Sequence, residues 1–201
     1  MVEAADIHQY CKVGGYNEVL ECLVHVDIEG KIRVKELDLE QEVVLDFILK
    51  DIKQEHENGM MFSSTKYRGK HPRRWFGFLY PDMLDPHLFG IFLKKIFLGW
   101  FTLVRSPNNN DWVPFGICLV EKYRGKGLGK AILYHAFEMM EIIYESGTKK
   151  IFLVTKLQNE KMRYVANRMK LEVHDDPFFQ KYYMDNGIIG YIMKENKLKN
   201  K

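Results

Sequence analysis

The chain has 201 residues, 46% of them hydrophobic and 28% charged, which are ordinary values for a globular protein with one sizeable core. Its formal net charge of +3 is too small to require a nucleic-acid partner. Three cysteines without metal-like spacing indicate reduced thiols in a cytoplasmic protein with no metal site. The apolar stretch 88–104 is interrupted by Lys94 and Lys95, so we expect no membrane segment.

The first half of the chain predicts a strand pair followed by a helix. Apolar alternation indicates strands over 19–28 and 31–39 around a short turn at 29–30. A change of apolar phase in the second strand suggests a bulge. Four apolar residues on one face predict a helix over 41–58, which Gly59 ends.

The second half predicts alternating strands and helices. Helices are expected from a glycine-rich turn to about residue 146 and over 159–169. The predicted strands are 89–94, 96–105, 115–120, 150–156, 171–173 and 187–194.

No shift in composition marks a second domain, so we predict one α/β (α+β) domain over 1–201. Its sheet is largely antiparallel, with helices on both faces. An extra N-terminal strand or hairpin occupies about 18–39, and a charged tail covers 195–201.

The stretch 113–136 combines a buried strand, a basic glycine turn and an amphipathic helix. The turn, 124–130, reads Arg-Gly-Lys-Gly-Leu-Gly-Lys. Free N–H groups at a helix start point at an anion, and glycines allow close approach. A dinucleotide fold needs three spaced glycines and an acid ~20 residues on. A Walker loop needs Ser or Thr after its lysine, where Ala131 follows Lys130.

The pattern Arg124-x-x-Gly127-x-Gly129 resembles the acyl-CoA-binding signature of the GNAT superfamily of N-acetyltransferases. That signature is Arg or Gln, two residues, Gly, one residue, then Gly or Ala. The lead-in 121–123 and the apolar strand before it also match. The resemblance is good over 89–159. It implies a GNAT-like sheet of six to seven strands and direct transfer of an acetyl group from acetyl-CoA to an amine of a small molecule or protein.

The resemblance also implies which residues hold the cofactor. Main-chain N–H groups of the turn bind the pyrophosphate of coenzyme A, and the preceding strand pairs with the pantetheine arm. The N–H of Leu119 is a candidate donor to the thioester carbonyl. Two roles are open for Asn159, a cofactor contact and the N-cap of the next helix. Lys126 and Lys130 either add charge to the phosphates or are solvated. The implied cofactor-binding residues are Leu119, Val120, Arg124, Gly125, Lys126, Gly127, Leu128, Gly129, Lys130 and Asn159.

The proton chemistry is not carried by the residues that the family often uses. Direct transfer needs a base for the amine and an acid for the thiolate. The usual tyrosine is Ala166 here, and the glutamate of some members is Val113, with Asp111 nearby. These departures motivate an alternative, a catalytically degenerate GNAT-fold module that binds acyl-CoA or a partner without turnover. The candidate substitutes are Tyr164, His174, Tyr182 and Tyr183.

Three of the remaining polar candidates have simpler expected roles. We expect His174 either near the cleft or on a surface turn. Cys118 is expected to pack in the core rather than act as a nucleophile, and His135 is expected to be a core or a surface histidine without a catalytic role.

The resemblance implies that the acceptor enters beside the first two helices and the last hairpin, which are roughly residues 55–85 and 174–187 here. Arginines and aromatics in 66–76 suggest either an acidic or phosphate-bearing acceptor or a solvated basic loop. Aspartates of both segments instead favour a cationic amine. A further hypothesis, nucleic-acid binding through 66–75, is disfavoured by the small net charge. A monomer and a homodimer both stay open.

Overall fold

A computed structural model describes residues 7–15, 17–20, 31–44, 46–48, 50, 84–105, 112–143, 150–174 and 187–193. The strands are β1 (Asn17–Leu20), β2 (Ile32–Glu36), β3 (Leu84–Leu93), β4 (Ile96–Arg105), β5 (Trp112–Leu119), β6 (Lys150–Lys156), β7 (Glu172–Val173) and β8 (Ile188–Met193). The helices are α1, with helical residues at 42–44, 46–48 and 50, α2 (Leu128–Ile143) and α3 (Glu160–Arg168), and 3-10 turns cover Ile7–Tyr10 and Glu121–Tyr123. Among the described helices, none is long and apolar enough to cross a membrane.

The strands form one sheet in the order β1-β2-β3-β4-β5-β6-β8-β7. Every neighbouring pair is antiparallel except β5 and β6, which run parallel. The predicted class, a largely antiparallel mixed sheet, is confirmed. The described residues contain eight strands, where the family resemblance implies six to seven.

The strand at the N-terminal edge pairs differently from the prediction. Leu20 lies opposite Ile32, whereas a two-residue turn at 29–30 would set Leu20 opposite Leu39. Residues 21–30, where that turn was expected, lie outside the described part of the chain. The turn predicted at Lys94 and Lys95 is confirmed, because it joins the paired residues Leu93 and Ile96.

Both faces of the sheet are covered, and this explains the change of apolar phase in β2. Ile32 and Val34 pack in the cluster that α2 and α3 cover, through residues such as Ile132 and Ala166. Leu37 packs on the other face, in a cluster with the α1 residues Val44 and Ile48. The predicted bulge is absent from the described β2–β3 ladder, whose register runs without a shift.

Candidate functional site

The parallel strands β5 and β6 separate before they end. Their pairing runs from Trp112 opposite Lys150 to Phe115 opposite Leu153. Beyond Phe115, the paired residues of β5 lie against β4 alone, and β6 continues to pair with β8 up to Lys156. Within the described residues, the C-terminal ends of the two strands therefore form the walls of a cleft.

The peptide groups at the end of β5 alternate between β4 and this cleft. The main-chain N–H of Val120 donates to the carbonyl oxygen of Leu98 at 3.0 Å. The N–H of residue 120 therefore points toward β4. Because successive peptide groups of a strand point in opposite directions, the N–H of Leu119 faces the cleft. A main-chain donor in this position suits an extended ligand or a carbonyl oxygen that gains negative charge.

A glycine lets β4 approach β5 closely at this level. Gly99 lies opposite Leu119, and a Cβ atom at residue 99 would collide with the carbonyl of Cys118. The close approach holds the end of β5 against β4. The opposite edge of β5 stays open to the cleft.

The turn after β5 is held by its own hydrogen bonds. The N–H groups of Tyr123 and Arg124 donate to the carbonyls of Val120 and Glu121 at 2.9 and 3.0 Å. Tyr123 is buried. The side chain of Arg124 folds back, and its Nε donates to the carbonyl oxygen of Leu119 at 2.7 Å. Arg124 thus fastens the end of β5 to the turn.

The glycine turn leaves donors free at the start of α2. Gly127 has a φ of +81°, and a Cβ atom there would meet nothing within 4 Å. Its carbonyl accepts from the N–H groups of Lys130 and Ala131 at 3.1 and 3.3 Å. No carbonyl in the described part of the chain accepts from the N–H groups of Gly127, Leu128 or Gly129. Open space beside three free donors at a helix start fits a pyrophosphate.

Two lysines add positive charge near this turn. Lys126 is half-buried and Lys130 is exposed. The ammonium of Lys130 lies 5.5 Å from the centre of the Tyr134 ring, a cation–π distance that keeps its charge beside the first turn of α2. Contact of either lysine with a phosphate stays a prediction.

The other wall of the cleft leads into α3 through Asn159. Its Oδ1 accepts from the N–H of Met162 at 3.2 Å, so Asn159 is the N-cap of α3. The cofactor contact predicted for Asn159 stays a prediction. Arg163, which the sequence patterns do not single out, donates from Nη1 to the carbonyl oxygen of Leu157 at 3.0 Å. The only feature of the sequence that could have drawn attention to Arg163 is its position one helical turn after Asn159.

The structure separates the catalytic candidates on α3. Tyr164 is 64% exposed, while Ala166 is fully buried in the core. This is the outcome expected from the turn of roughly 200° between residues two apart on a helix. Tyr164 therefore does not occupy the side of α3 where the family's tyrosine stands, and its role as an acid stays a prediction.

His174 is buried rather than on a surface turn, with 4% of its surface exposed. The main-chain N–H of His174 donates to the carbonyl oxygen of Gly190 at 2.9 Å, and this bond continues the pairing of β7 with β8. The surface-turn interpretation is therefore wrong for this residue. Tyr182, Tyr183 and Asp111, the remaining candidates, lie outside the described residues.

Cys118 and His135 are both buried, which agrees with the packing predicted for Cys118 and selects the core position for His135. Cys118 packs in the cluster on the α1 side of the sheet. In the described ranges, no three His, Cys, Asp or Glu side chains are grouped as a metal site requires.

An ionic cluster that the sequence did not predict lies around β2 and β3, away from β6 in the strand order. The carboxylate of Glu36 contacts Nζ of Lys12 at 3.1 Å and Nδ1 of His87 at 3.0 Å. The hydrogen bond from His87 holds the pKa of Glu36 below its usual value. Glu36 lies on β2, which β3 and β4 separate from β5 and the cleft, so we treat this cluster as structural.

The sequence of the chain matches one known protein family. A sequence model described as the Acetyltransferase (GNAT) family matches residues 53–171, more than half of the chain. No curated protein sequence matches the chain significantly. The match confirms the family and the enzyme class predicted from the sequence, and the predicted cofactor, acetyl-CoA, agrees with them.

Solved structures of several acetyltransferases share the fold. Spermidine N-acetyltransferase from Vibrio cholerae, in complex with CoA and spermine, aligns with a TM-score of 0.61 and 13% identity over 84% of this chain and 98% of that one. Mycobacterium smegmatis RimJ, in complex with CoA-disulfide, aligns with a TM-score of 0.58 and 16% sequence identity over 85% of each chain. Apo RimL, a ribosomal L7/L12 alpha-N-protein acetyltransferase, aligns with a TM-score of 0.57 and 12% sequence identity. The alignment covers 91% of this chain and 97% of that one. At these identities the likeness establishes the fold alone.

Proposed function

The chain belongs to the GNAT acetyltransferase family, and from this membership we propose that it transfers an acetyl group from acetyl-CoA directly to an amine of a small molecule or a protein. The observation that carries the proposal is the cleft between β5 and β6, with the N–H of Leu119 on one wall and the glycine turn at its end. These are the parts that a thioester and a pyrophosphate on one ligand require.

Each part of the site has a defined task in this proposal. The N–H groups of Gly127, Leu128 and Gly129 bind the pyrophosphate. When bound, acetyl-CoA supplies a thioester carbonyl carbon that a neutral amine attacks. The N–H of Leu119 donates to the carbonyl oxygen as negative charge develops there, an effect commonly worth about 2.7–4 kcal/mol for one donor.

The leaving thiolate does not depend on a strong acid. A thiol has an ordinary pKa of about 8.5, so its anion is a fair leaving group near neutral pH. Ala166 is buried where many relatives of this family have a tyrosine, so that route of protonation is missing. Tyr164, His174 and Tyr183 stay candidates for moving protons, and solvent supplies another route.

An amine acceptor is the shared chemistry of the structural neighbours. One is named for spermidine and others for the α-amino group of a protein. These are acceptors of those proteins, and they support an amine here without choosing between a small molecule and a protein. We propose that the chain acts as a monomer or a homodimer.

The proposal is tested first by cofactor binding. Saturation at 100 times Kd adds about 2.7 kcal/mol to the free energy of unfolding, which thermal denaturation with acetyl-CoA detects. Release of free thiol is then followed with a panel that includes spermidine, lysine and peptides with a free α-amino group. Stabilisation together with amine-dependent release is expected. No stabilisation by saturating acetyl-CoA contradicts the proposal.

The second candidate function is binding of acyl-CoA without turnover, and the buried Ala166 is the observation that favours it. It predicts the same thermal stabilisation but no thiol release with any amine. A bound complex of acetyl-CoA that stays unhydrolysed and untransferred across the whole panel would select this alternative.

A further inference from the structure

Thr155 lies on the β6 wall of the cleft, close to the point where the two walls part. The last residue of β6 that pairs with β5 is Leu153, opposite Phe115. Thr155 follows two residues later and pairs with Ile189 of β8 on its other side. In the described part of the chain, the side of Thr155 toward β5 therefore has no neighbouring strand.

The side chain of Thr155 stands on the face of the sheet that α2 and α3 cover. Residues two apart on a strand share a face, and Leu153 packs in the same cluster as Ala166 of α3. Ile189, which lies opposite Thr155, also packs against this cluster. Thr155 thus carries a hydroxyl group on the same face as Ala166, the position where many relatives have a tyrosine.

The hydroxyl of Thr155 is unpartnered but not enclosed. The residue is 5% exposed, and no described residue forms a hydrogen bond with its hydroxyl. Among the described side chains, the only donor or acceptor that is both enclosed and unpartnered is Nε of Arg163. The oxygen atom of Thr155 therefore keeps contact with solvent, and a ligand atom can reach it.

The cleft is the side from which a ligand reaches this hydroxyl. The main-chain N–H of Leu157 donates to the carbonyl oxygen of Gly187 at 3.0 Å, so the peptide groups of Thr155, two residues earlier, also face β8. The strand β8 covers that flank, the cluster under α3 covers the face, and the flank toward β5 stays open. A nearly buried hydroxyl without a hydrogen bond is costly, and a ligand in the cleft that offers an acceptor removes this cost.

We propose that the Thr155 hydroxyl donates a hydrogen bond to the sulfur atom of coenzyme A and stabilises the thiolate as it leaves. The inference rests on the proposed function, in which the pyrophosphate binds at the glycine turn. That turn lies beyond the end of β5, so the thioester end of the ligand points into the cleft, toward the level where β5 and β6 part.

Thr155 acts in this step as a hydrogen-bond donor and keeps its own proton. The amine nitrogen forms a bond to the thioester carbonyl carbon, and the carbon–sulfur bond breaks. The electron pair of that bond stays on sulfur, and the proton lost by the amine goes to solvent. Thr155 thus supplies the hydroxyl group that is missing at Ala166, from the strand instead of the helix.

The test compares coenzyme A with desulfo-coenzyme A, which lacks the sulfur atom, by isothermal titration. Thr155→Val removes the hydroxyl and keeps the branched shape of the side chain. We expect it to raise Kd for coenzyme A about threefold near pH 7 and about tenfold near pH 9.5, where the thiol is ionised, because hydrogen bonds to charged groups are stronger. Kd for desulfo-coenzyme A should change by less than about twofold.

Two control variants separate the hydroxyl from packing. Thr155→Ser keeps the hydroxyl and should bind coenzyme A within about twofold of the wild-type value. Thr102→Val makes the same exchange at a buried threonine of β4, which pairs with Leu88 on the opposite face of the sheet, and it should leave both affinities unchanged. With an amine that the wild-type protein acetylates, Thr155→Val should lower kcat about tenfold and change KM for acetyl-CoA by less than about twofold.

Two results would overturn the inference: unchanged affinity of Thr155→Val for coenzyme A at both pH values, or an equal loss with desulfo-coenzyme A, which would make Thr155 a packing residue only. Failure of the wild-type protein to bind coenzyme A would instead overturn the proposed function.

Discussion

Gly127→Ala separates the cofactor role of the glycine turn from its role in the fold. Gly127 has a φ of +81°, and a Cβ atom there meets nothing within 4 Å. Gly14 has a φ of +72° and equally open surroundings, but it lies near the N-terminus, outside the proposed site. The two substitutions therefore impose the same backbone strain, and only the one at residue 127 intrudes on the space proposed for the pyrophosphate.

The magnitudes follow from this pairing. A left-handed conformation costs an alanine about 1–2 kcal/mol, so both variants should melt about 2–8 °C lower without ligand, given the size of the chain. At Gly127 the methyl group also forces the anion away from the N–H groups of the turn. Loss of a charge-assisted hydrogen bond costs about 1.5–3 kcal/mol, which is about a 10- to 100-fold rise in Kd.

Thermal denaturation without ligand and titration with acetyl-CoA measure the two effects separately. We expect equal losses of melting temperature and a rise in Kd for Gly127→Ala alone. If Gly127→Ala melts like Gly14→Ala and still binds acetyl-CoA within twofold of the wild-type value, the pyrophosphate is not held at this glycine.

Three further predictions concern single residues. Gly129→Ala should stabilise the free protein by about 0.5–1 kcal/mol and keep cofactor binding, because the motif admits Ala there and the new Cβ only touches Leu119 at 3.9 Å; a lower melting temperature would contradict this. Asn159→Ala removes the N-cap bond and should cost about 0.5–2 kcal/mol in urea unfolding, while Asn159→Asp, which keeps a capping oxygen, should cost less. The lowered pKa of Glu36 means that its ionised form stabilises the fold above its ordinary pKa of 4.5 and that this contribution is lost as the pH falls through the lower folded value. Urea unfolding of Glu36→Gln should therefore show its largest deficit near pH 7 and a shrinking one toward pH 3, and a deficit independent of pH would refute the assignment.

Local patterns in the sequence predicted the parts of the site that depend on neighbouring residues. The strand over 150–156 and the turn at Lys94 and Lys95 match the structure. So does the cap at Asn159. Each rests on interactions within a few residues, where side-chain type and spacing decide the conformation.

Long-range pairing decided what the sequence patterns missed. No pattern in the sequence singles out Glu36, which is hydrogen-bonded to His87, 51 residues away. The phase change near Leu37 suggested a bulge, and its cause is a second buried face of the sheet. Neither outcome is visible in a short window, because each depends on which strand and which helix pack against the segment.

By itself, the sequence determined the family and the kind of ligand, because a strand, a glycine turn and a helix in direct succession leave main-chain donors free for a phosphate. Only the tertiary structure decided how the cleft is built. The end of the β5–β6 pairing at Phe115 and Leu153 leaves the Leu119 N–H on the open side of β5. Residues more than thirty positions apart in the chain come level there through the pairing of two parallel strands, and no local pattern in either segment encodes that register.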